Sequence, residues 1–410
     1  MNGTPLRCAV LAVGDFPEGG AASQRLRLLT RILDTGLGEA ALWLLHPTSK
    51  QPIADNHALA GVAADIRFRY LSGRTVRPAG LGGALVDTAT GILASIGAIA
   101  APRSRRPDVL VVYTPRLFKF ILPLLAARLF RVPVIAEICE INSQATGAPG
   151  GWGLRRWVNS GESLMEWLLP RLTVGAVVIS TRIRQYYARL GMPAADMLLL
   201  PVLIDYAQYQ AGGTEAVGGL EGTEFLLNSG AFKEKDGLEF VIRALREVRR
   251  DHPGLKLVFT GQASPAARAS VYAHAGADAE QWIVFTGFLS REALIWCYKH
   301  AAGLLSCRSN SAYANYGFPT KLAEYLASGT PVIVTDVGDT REYLDENSAF
   351  IAEPENVESI ARAVRLLLSD KARAGAVGNR GREVARQHFD YASHVEAVAD
   401  FVRRRIRHDV

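Results

Sequence analysis

A chain of 410 residues is long enough for two ordinary domains, each with its own core. Apolar residues at 49% and charged residues at 21% are the proportions of a soluble globular protein, and no low-complexity tract or internal repeat interrupts them. The net charge of +6 is unevenly held: the first 180 residues carry 19 Lys and Arg against 12 Asp and Glu, so the whole basic excess lies there. The four cysteines (Cys8, Cys139, Cys297, Cys307) are far apart, with no CxxC pair and no neighbouring histidines. That spacing argues for a reducing compartment, and against a zinc site or a disulfide framework. Arg7–Val13 reads as a short strand entering a glycine loop rather than as a secretory leader.

Strands are expected at Cys8–Val13, Ala41–Leu45, Ile66–Leu71, Val109–Tyr113, Val134–Ile138 and Ala176–Ile179. Helical patterns lie between them, which is the rhythm of a doubly wound α/β domain. After the first strand, Gly14, Gly19 and Gly20 form a flexible loop before a helix that carries Arg25. Their spacing is not the dinucleotide fingerprint, so a dehydrogenase is disfavoured. Arg67, Arg69, Arg74 and Arg77 form one basic cluster, and Arg103, Arg105 and Arg106 another. A solvated face, anionic lipid head groups or a phosphate-bearing acceptor would each suit them. Nucleic acid is not expected, since no aromatic residues interleave with the charges.

Leu81–Ala101 is about long enough to span a bilayer, but it contains Asp87 and four glycines and reads as a helix packed on a sheet. Phe118–Phe130 is amphipathic and reads as a buried crossover helix, with an interfacial helix as the alternative. Ile135–Asn142 (IAEICEIN) ends a strand with Glu137 and Glu140. Ligand contacts gather at such strand ends in open α/β sheets, although a cap or a loop ion pair fits as well.

Asp205 closes the run LLLPVLID, and a polar, Gly-rich stretch follows it. Further strands are expected at Phe225–Gly230, Leu255–Gly261, Ile283–Gly287, Gly303–Cys307 and Val332–Thr335. A polar loop, Arg308–Phe318, leads to a helix opened at Pro319 or Thr320 and closed by Gly329. The first turn of that helix offers free N–H groups and the positive end of a dipole, which suits phosphate. Lys321 lies in this turn, and Glu324 shares its face three residues on. Alone, the two could be a surface ion pair.

The string GFPTKLAEYLASGTPVI resembles the nucleotide-sugar segment of retaining GT-B glycosyltransferases of the large family-four group, in the branch whose motif reads GFPTKLxEYL. The resemblance covers nearly the whole chain, strongly in the second half and loosely in the first. It implies two Rossmann-like, doubly wound α/β domains facing a central cleft. These would be an acceptor domain at 1–203, a nucleotide-sugar domain at 204–388 and a terminal helix at 389–410 crossing back to the first, with Asp205 at the hinge.

In that family Glu324 would hold the donor ribose. The diphosphate would fall to Thr320, Lys321, Arg308 and a lysine of the turn after Gly230, with Lys235 the first candidate and Lys233 its substitute. Tyr316, Gly317, Phe318 and Pro319 would make donor sugar or loop contacts. A second glutamate of the family is replaced by Tyr316, and an arginine by Ala231. In the first domain Gly19, Gly20, Arg25 and Glu140 would face the cleft.

The activity implied is a hexosyltransferase-type transfer from a nucleoside-diphosphate sugar to an acceptor hydroxyl, with retention, in glycan, glycolipid or glycosylated-metabolite synthesis. The acceptor would be a sugar, a lipid-linked molecule or a small molecule. No cofactor and no metal is expected, since neither a DxD nor a His-rich cluster is present. No nucleophile is assigned. The protein is expected in the cytoplasm, with peripheral contact to an anionic membrane at its inner face as an option for the basic domain. Rival readings are a nucleotide-sugar epimerase of the same fold, or a catalytically silent nucleotide-sugar-binding partner.

Overall fold

The computed structural model describes residues 5–144, 152–230, 232 and 236–407. The chain divides into two compact units, Met1–Leu203 with Tyr391–Val410, and Ile204–Asp390.

The first unit is built as β1 (Leu6–Ala12), α1 (Ala21–Leu37), β2 (Gly38–Leu44), β3 (Ala60–Ala63), β4 (Ile66–Tyr70), α2 (Leu81–Ile99), β5 (Val109–Tyr113), α3 (Leu117–Leu129), β6 (Val134–Ile138), α4 (Trp152–Leu172), β7 (Gly175–Val178), α5 (Thr181–Arg189) and β8 (Met197–Leu199). Its eight strands run in the order β3-β4-β2-β1-β5-β6-β7-β8. Among the described residues of this sheet only the β3–β4 pair is antiparallel. The central strands are buried on both faces, which is why they read as continuous apolar runs rather than alternating ones.

The second unit comprises α6 (Tyr206–Ala211), β9 (Phe225–Ser229), α7 (Leu238–Val248), β10 (Lys256–Thr260), α8 (Pro265–Ala275), α9 (Ala279–Trp282), β11 (Ile283–Gly287), α10 (Arg291–His300), β12 (Gly303–Ser306), α11 (Ala312–Tyr316), α12 (Thr320–Ser328), β13 (Val332–Thr335), α13 (Thr340–Tyr343), β14 (Phe350–Ala352), α14 (Val357–Ser369) and α15 (Lys371–His388). Its six strands are parallel, in the order β11-β10-β9-β12-β13-β14. Helix α12 ends as the glycine implies, with Gly329 left-handed at φ 81°.

The last helix, α16 (Val395–Arg407), lies in the first unit against α1. Val398, Phe401 and Val402 join the first core, where they cluster with Leu29 and Leu33 of α1.

Three expectations need correction. The loop Arg308–Phe318 contains a short helix, α11, whose start is capped by the Ser311 hydroxyl accepting from Ala314 N at 3.2 Å. The segment after Asp390 enters its helix only at Val395, after a turn of 3₁₀ helix at Tyr391–His394. Helix α3 is a crossover helix but not a buried one: Phe118, Leu122, Leu125 and Leu129 are exposed.

Candidate functional site

In the second unit the tips of β9 and β12 and the opening turn of α12 come together. Pro319 occupies the N-cap position with no side-chain cap, and Thr320 and Lys321 begin the helix. Lys321 turns inward, donating from Nζ to the Ser229 carbonyl at 2.9 Å and lying 3.7 Å from Asp236 Oδ1. Burial holds this amine below the usual lysine range, Asp236 pulls it back up, and Arg308 pushes it further down.

Gly230 leaves room for the approach: a Cβ there would stand 3.1 Å from Lys321 Nζ. Gly237, in the left-handed region at φ 58°, lets the start of α7 sit under β12, since a Cβ would lie 2.5 Å from the Cys307 carbonyl oxygen. Lys321 thus faces the Asp236 carboxylate and feels the Arg308 charge at the end of a parallel sheet, where such sheets place their ligands.

Lys233 and Lys235, the expected diphosphate lysines, lie outside the described residues, as does Ala231. Arg308 is described and buried, and its Nη1 donates to the Gly317 carbonyl at 2.7 Å. This bond fixes the loop before α12.

One turn into α12, Glu324 is buried to 8% exposure. Its Oε2 accepts from the Tyr298 hydroxyl at 3.2 Å, and its Oε1 lies 3.4 Å from Arg291 Nη1. Arg291 also donates to the Tyr209 hydroxyl. A carboxylate offers about four acceptor directions, so these partners orient Glu324 while leaving capacity for a ligand hydroxyl. The neighbouring Tyr325 hydroxyl accepts from Ser229 N at 2.7 Å and pins α12 to β9.

Asp236, Arg291, Tyr209 and Tyr298 were not among the sequence candidates. Asp236 directly follows Lys235, the lysine first expected at the diphosphate. Arg291 follows the helix-capping Ser290, and that cap was its one local signal.

Of the four residues expected in donor sugar or loop contacts, Phe318 makes contacts within the loop's surroundings. It is buried, with its ring 5.4 Å from Tyr343 and 5.3 Å from Phe389. An aromatic ring prefers this cluster to water, so Phe318 anchors the loop from inside. Tyr316 and Gly317 are half-buried in the stretch leading to Pro319.

In the first unit the glycine loop is exposed at Gly19 and Gly20. Gly19 makes room for Ser23, whose hydroxyl donates to the Asp15 carbonyl at 2.7 Å. Arg25 is a correction. Its guanidinium is buried against Glu137, with Nε 2.8 Å and Nη2 2.6 Å from Oε1. The remaining donors reach the carbonyls of Leu200 and Pro201. This pair ties α1 to β6 and to the segment after β8, and its cation is already committed. Glu140, two residues beyond β6, is exposed.

The basic clusters separate in the same way. Arg67 pairs with Asp34 and Glu39, Arg69 stacks on Trp43 at 4.2 Å, and Arg77 binds Asp87 at 2.8 Å. Arg103 and Arg105 stay exposed.

His46, just past β2, is buried at 2% exposure. Its Nδ1 lies 2.8 Å from the Pro47 carbonyl, and its Nε2 has no hydrogen-bond partner among the described residues. Burial, with Lys119 and Arg77 nearby, pushes this imidazole down to about 4, against an opposing pull from the Pro47 bond and Asp87. The unfolded chain therefore binds a proton that the folded one refuses between about pH 6.5 and about 4. Stability should be full above that window and fall through it by about 1.4 kcal/mol per pH unit. Thermal unfolding of His46→Gln between pH 7 and 4 should show a flatter profile; an unchanged slope would remove His46 from the account.

The two parallel-sheet units, the second with a cationic helix start at its strand ends, have the architecture of a GT-B glycosyltransferase. Anabaena HepE in complex with UDP shares the fold at a TM-score of 0.68 and 14% identity, over 97% of this chain and 100% of that one. Sucrose-phosphate synthase from Thermosynechococcus elongatus does so at 0.70 and 16%, over 97% and 98%.

Residues 215–384, within the second unit, match the family model for Glycosyl transferases group 1. Glycogen synthase of Mycobacterium tuberculosis is 25% identical over 321 residues, 73% of this chain and 70% of that protein. The GDP-mannose-dependent alpha-(1-6)-phosphatidylinositol monomannoside mannosyltransferase of the same organism is 28% identical over 174 residues, 41% and 44% of the two chains.

Proposed function

We propose that this glycosyltransferase moves a hexosyl group from a nucleoside-diphosphate sugar to an acceptor hydroxyl, with retention and without a metal, and that its α12 segment is of the GFPTKLxEYL branch. The observation that carries the reading is the half-buried Lys321 amine at the opening of α12, beside Arg308 and, among the described residues, ion-paired with Asp236. Cleavage of the donor develops negative charge on the outer phosphate. The helix start, Lys321 and Arg308 are preorganised to receive that charge, with Lys235 or Lys233, a few positions after Gly230 in the sequence, as further candidates. Glu324 takes the ribose hydroxyls. Tyr316 stands where the family has a glutamate, and with Gly317 and Pro319 it borders the sugar. The acceptor is a sugar, a lipid-linked molecule or a small molecule, met by the first unit at the cytoplasmic face of an anionic membrane, with Gly19, Gly20 and Glu140 on its side.

A panel of UDP-, GDP-, ADP- and dTDP-sugars with candidate acceptors tests the reading. Nucleoside diphosphate should be released only when an acceptor is present. Lys321→Met should lower turnover about 100-fold while nucleoside monophosphate affinity changes by about threefold or less. Donor binding without turnover across the panel would favour a silent binding partner instead.

A further inference from the structure

The first unit carries an apolar outer layer that its own fold leaves uncovered. Helices α2, α3 and α4 are successive crossovers on one face of the sheet, α2 packed on α3 and α3 on α4. On α2, Leu81, Leu85 and Leu93 recur at fourfold spacing along one stripe and are 87%, 70% and 68% exposed. On α3, Phe118, Leu122, Leu125 and Leu129 form a second stripe, with Leu129 at 76% exposure. On α4, Leu164 and Trp167 form a third. The outward stripe of a surface helix is ordinarily polar, so three adjacent apolar stripes mark a contact surface.

The charges select the partner. The carboxylates on these helices, Asp87, Glu162 and Glu166, are all buried. The exposed charges on the described side chains of the layer are Arg128 and Arg171. Because the three helices run in parallel, their C-terminal ends share one border of the layer, and Arg103, Arg105 and Arg131 are exposed just beyond those ends. Arg171 lies over the Trp167 ring at 3.9 Å, an arrangement that keeps an apolar body and a charged tip on the same border.

Helix α2 is long and apolar enough to cross a bilayer, but its inner side is committed to the sheet. Gly91 lets it approach so closely that a Cβ would meet the Leu45 carbonyl oxygen at 2.0 Å, and the Asp87–Arg77 pair holds its first half. It is therefore placed to lie along a membrane rather than through one.

We infer that the outer faces of α2, α3 and α4, with their arginine border, form a docking surface for the interfacial region of an anionic lipid bilayer. The inference rests on the membrane contact proposed above and names the surface that makes it. Insertion of the apolar stripes supplies area-dependent binding, and the arginines supply the preference for anionic head groups.

Co-sedimentation of the full chain with phosphatidylcholine vesicles, with and without phosphatidylglycerol, tests it. The wild type should bind the anionic vesicles more tightly. Leu85→Glu with Leu122→Glu should reduce that binding about tenfold or more, while Arg105→Glu with Arg128→Glu should abolish the preference for phosphatidylglycerol. All four positions are exposed, so unfolding does not confuse the result, and unchanged UDP or GDP affinity confirms an intact second unit.

Absence of wild-type binding to anionic vesicles overturns the inference, as does unchanged binding by the leucine variant. So does a self-associated wild type that the leucine variant renders monomeric without affecting vesicles. A protein that binds vesicles but turns over no donor leaves this surface standing and removes the proposed reaction; the converse result does the opposite.

Discussion

Glu324→Ala is expected to weaken free nucleoside diphosphate and intact nucleotide-sugar by the same factor, about 10–100-fold. The ribose belongs to both ligands, and a hydrogen bond to a charged group is worth about 1.5–3 kcal/mol, or about one to two decades in affinity. The structure adds a second consequence. Tyr298, itself buried, donates to this carboxylate, and Arg291 faces it. Removing the acceptor leaves this buried hydroxyl with the longer 3.5 Å contact to the Ser229 hydroxyl, at up to about 1–3 kcal/mol of stability. Glu324→Gln separates the two effects, since the amide oxygen can still accept from Tyr298 but brings no charge. Calorimetric titration of both ligands, with unfolding midpoints in parallel, is the measurement. If nucleoside diphosphate affinity is unchanged in the alanine variant, the ribose assignment fails.

Arg25→Ala is expected to cost the first unit about 3–5 kcal/mol, because it strands Glu137 as an uncompensated buried charge. Glu137 is fully buried, its Oε2 already lacks a hydrogen-bond partner among the described residues, and Arg25 is its one ion-pair partner there. The double variant Arg25→Met with Glu137→Leu should recover much of the loss, since a well-packed apolar pair avoids both desolvation penalties. Urea unfolding would measure the cost. Nucleoside diphosphate affinity at low denaturant should stay at the wild-type value, because the cationic helix start belongs to the other unit. A stable Arg25→Ala protein with weakened diphosphate binding would restore Arg25 as a ligand contact.

What the sequence made legible follows from burial. Strands such as Val109–Tyr113 and Val332–Thr335 are covered on both faces, so their apolar runs stand out at nearly the right boundaries. The strand Ala60–Ala63 is a short, mostly exposed antiparallel edge, and nothing in its composition distinguishes it from loop. Phe350–Ala352 is three residues long.

Among site residues, Lys321 and Glu324 could be placed on one helix because their spacing is local. The fate of Arg25 could not, since its partner is 112 positions away in sequence. Phe318 shows the same limit, as the rings of Tyr343 and Phe389 that claim it come from elements distant in sequence. The outer faces of α2 and α3 show a different one: periodicity reveals a helix but not which side the fold covers.

The second unit is an insertion within the first, left after Leu203 and re-entered at Tyr391. Its two ends are fastened side by side, Ile204 N donating to the Phe389 carbonyl at 2.8 Å and Tyr206 N to Asp390 Oδ1 at 3.4 Å. During synthesis the inserted unit is complete before Val398, Phe401 and Val402 have left the ribosome, whereas the unit begun first must wait for them to close its interior. The order of maturation is thus the reverse of the order of translation, and a chain cut just after Asp390 would leave the second unit folded and the first with an open core.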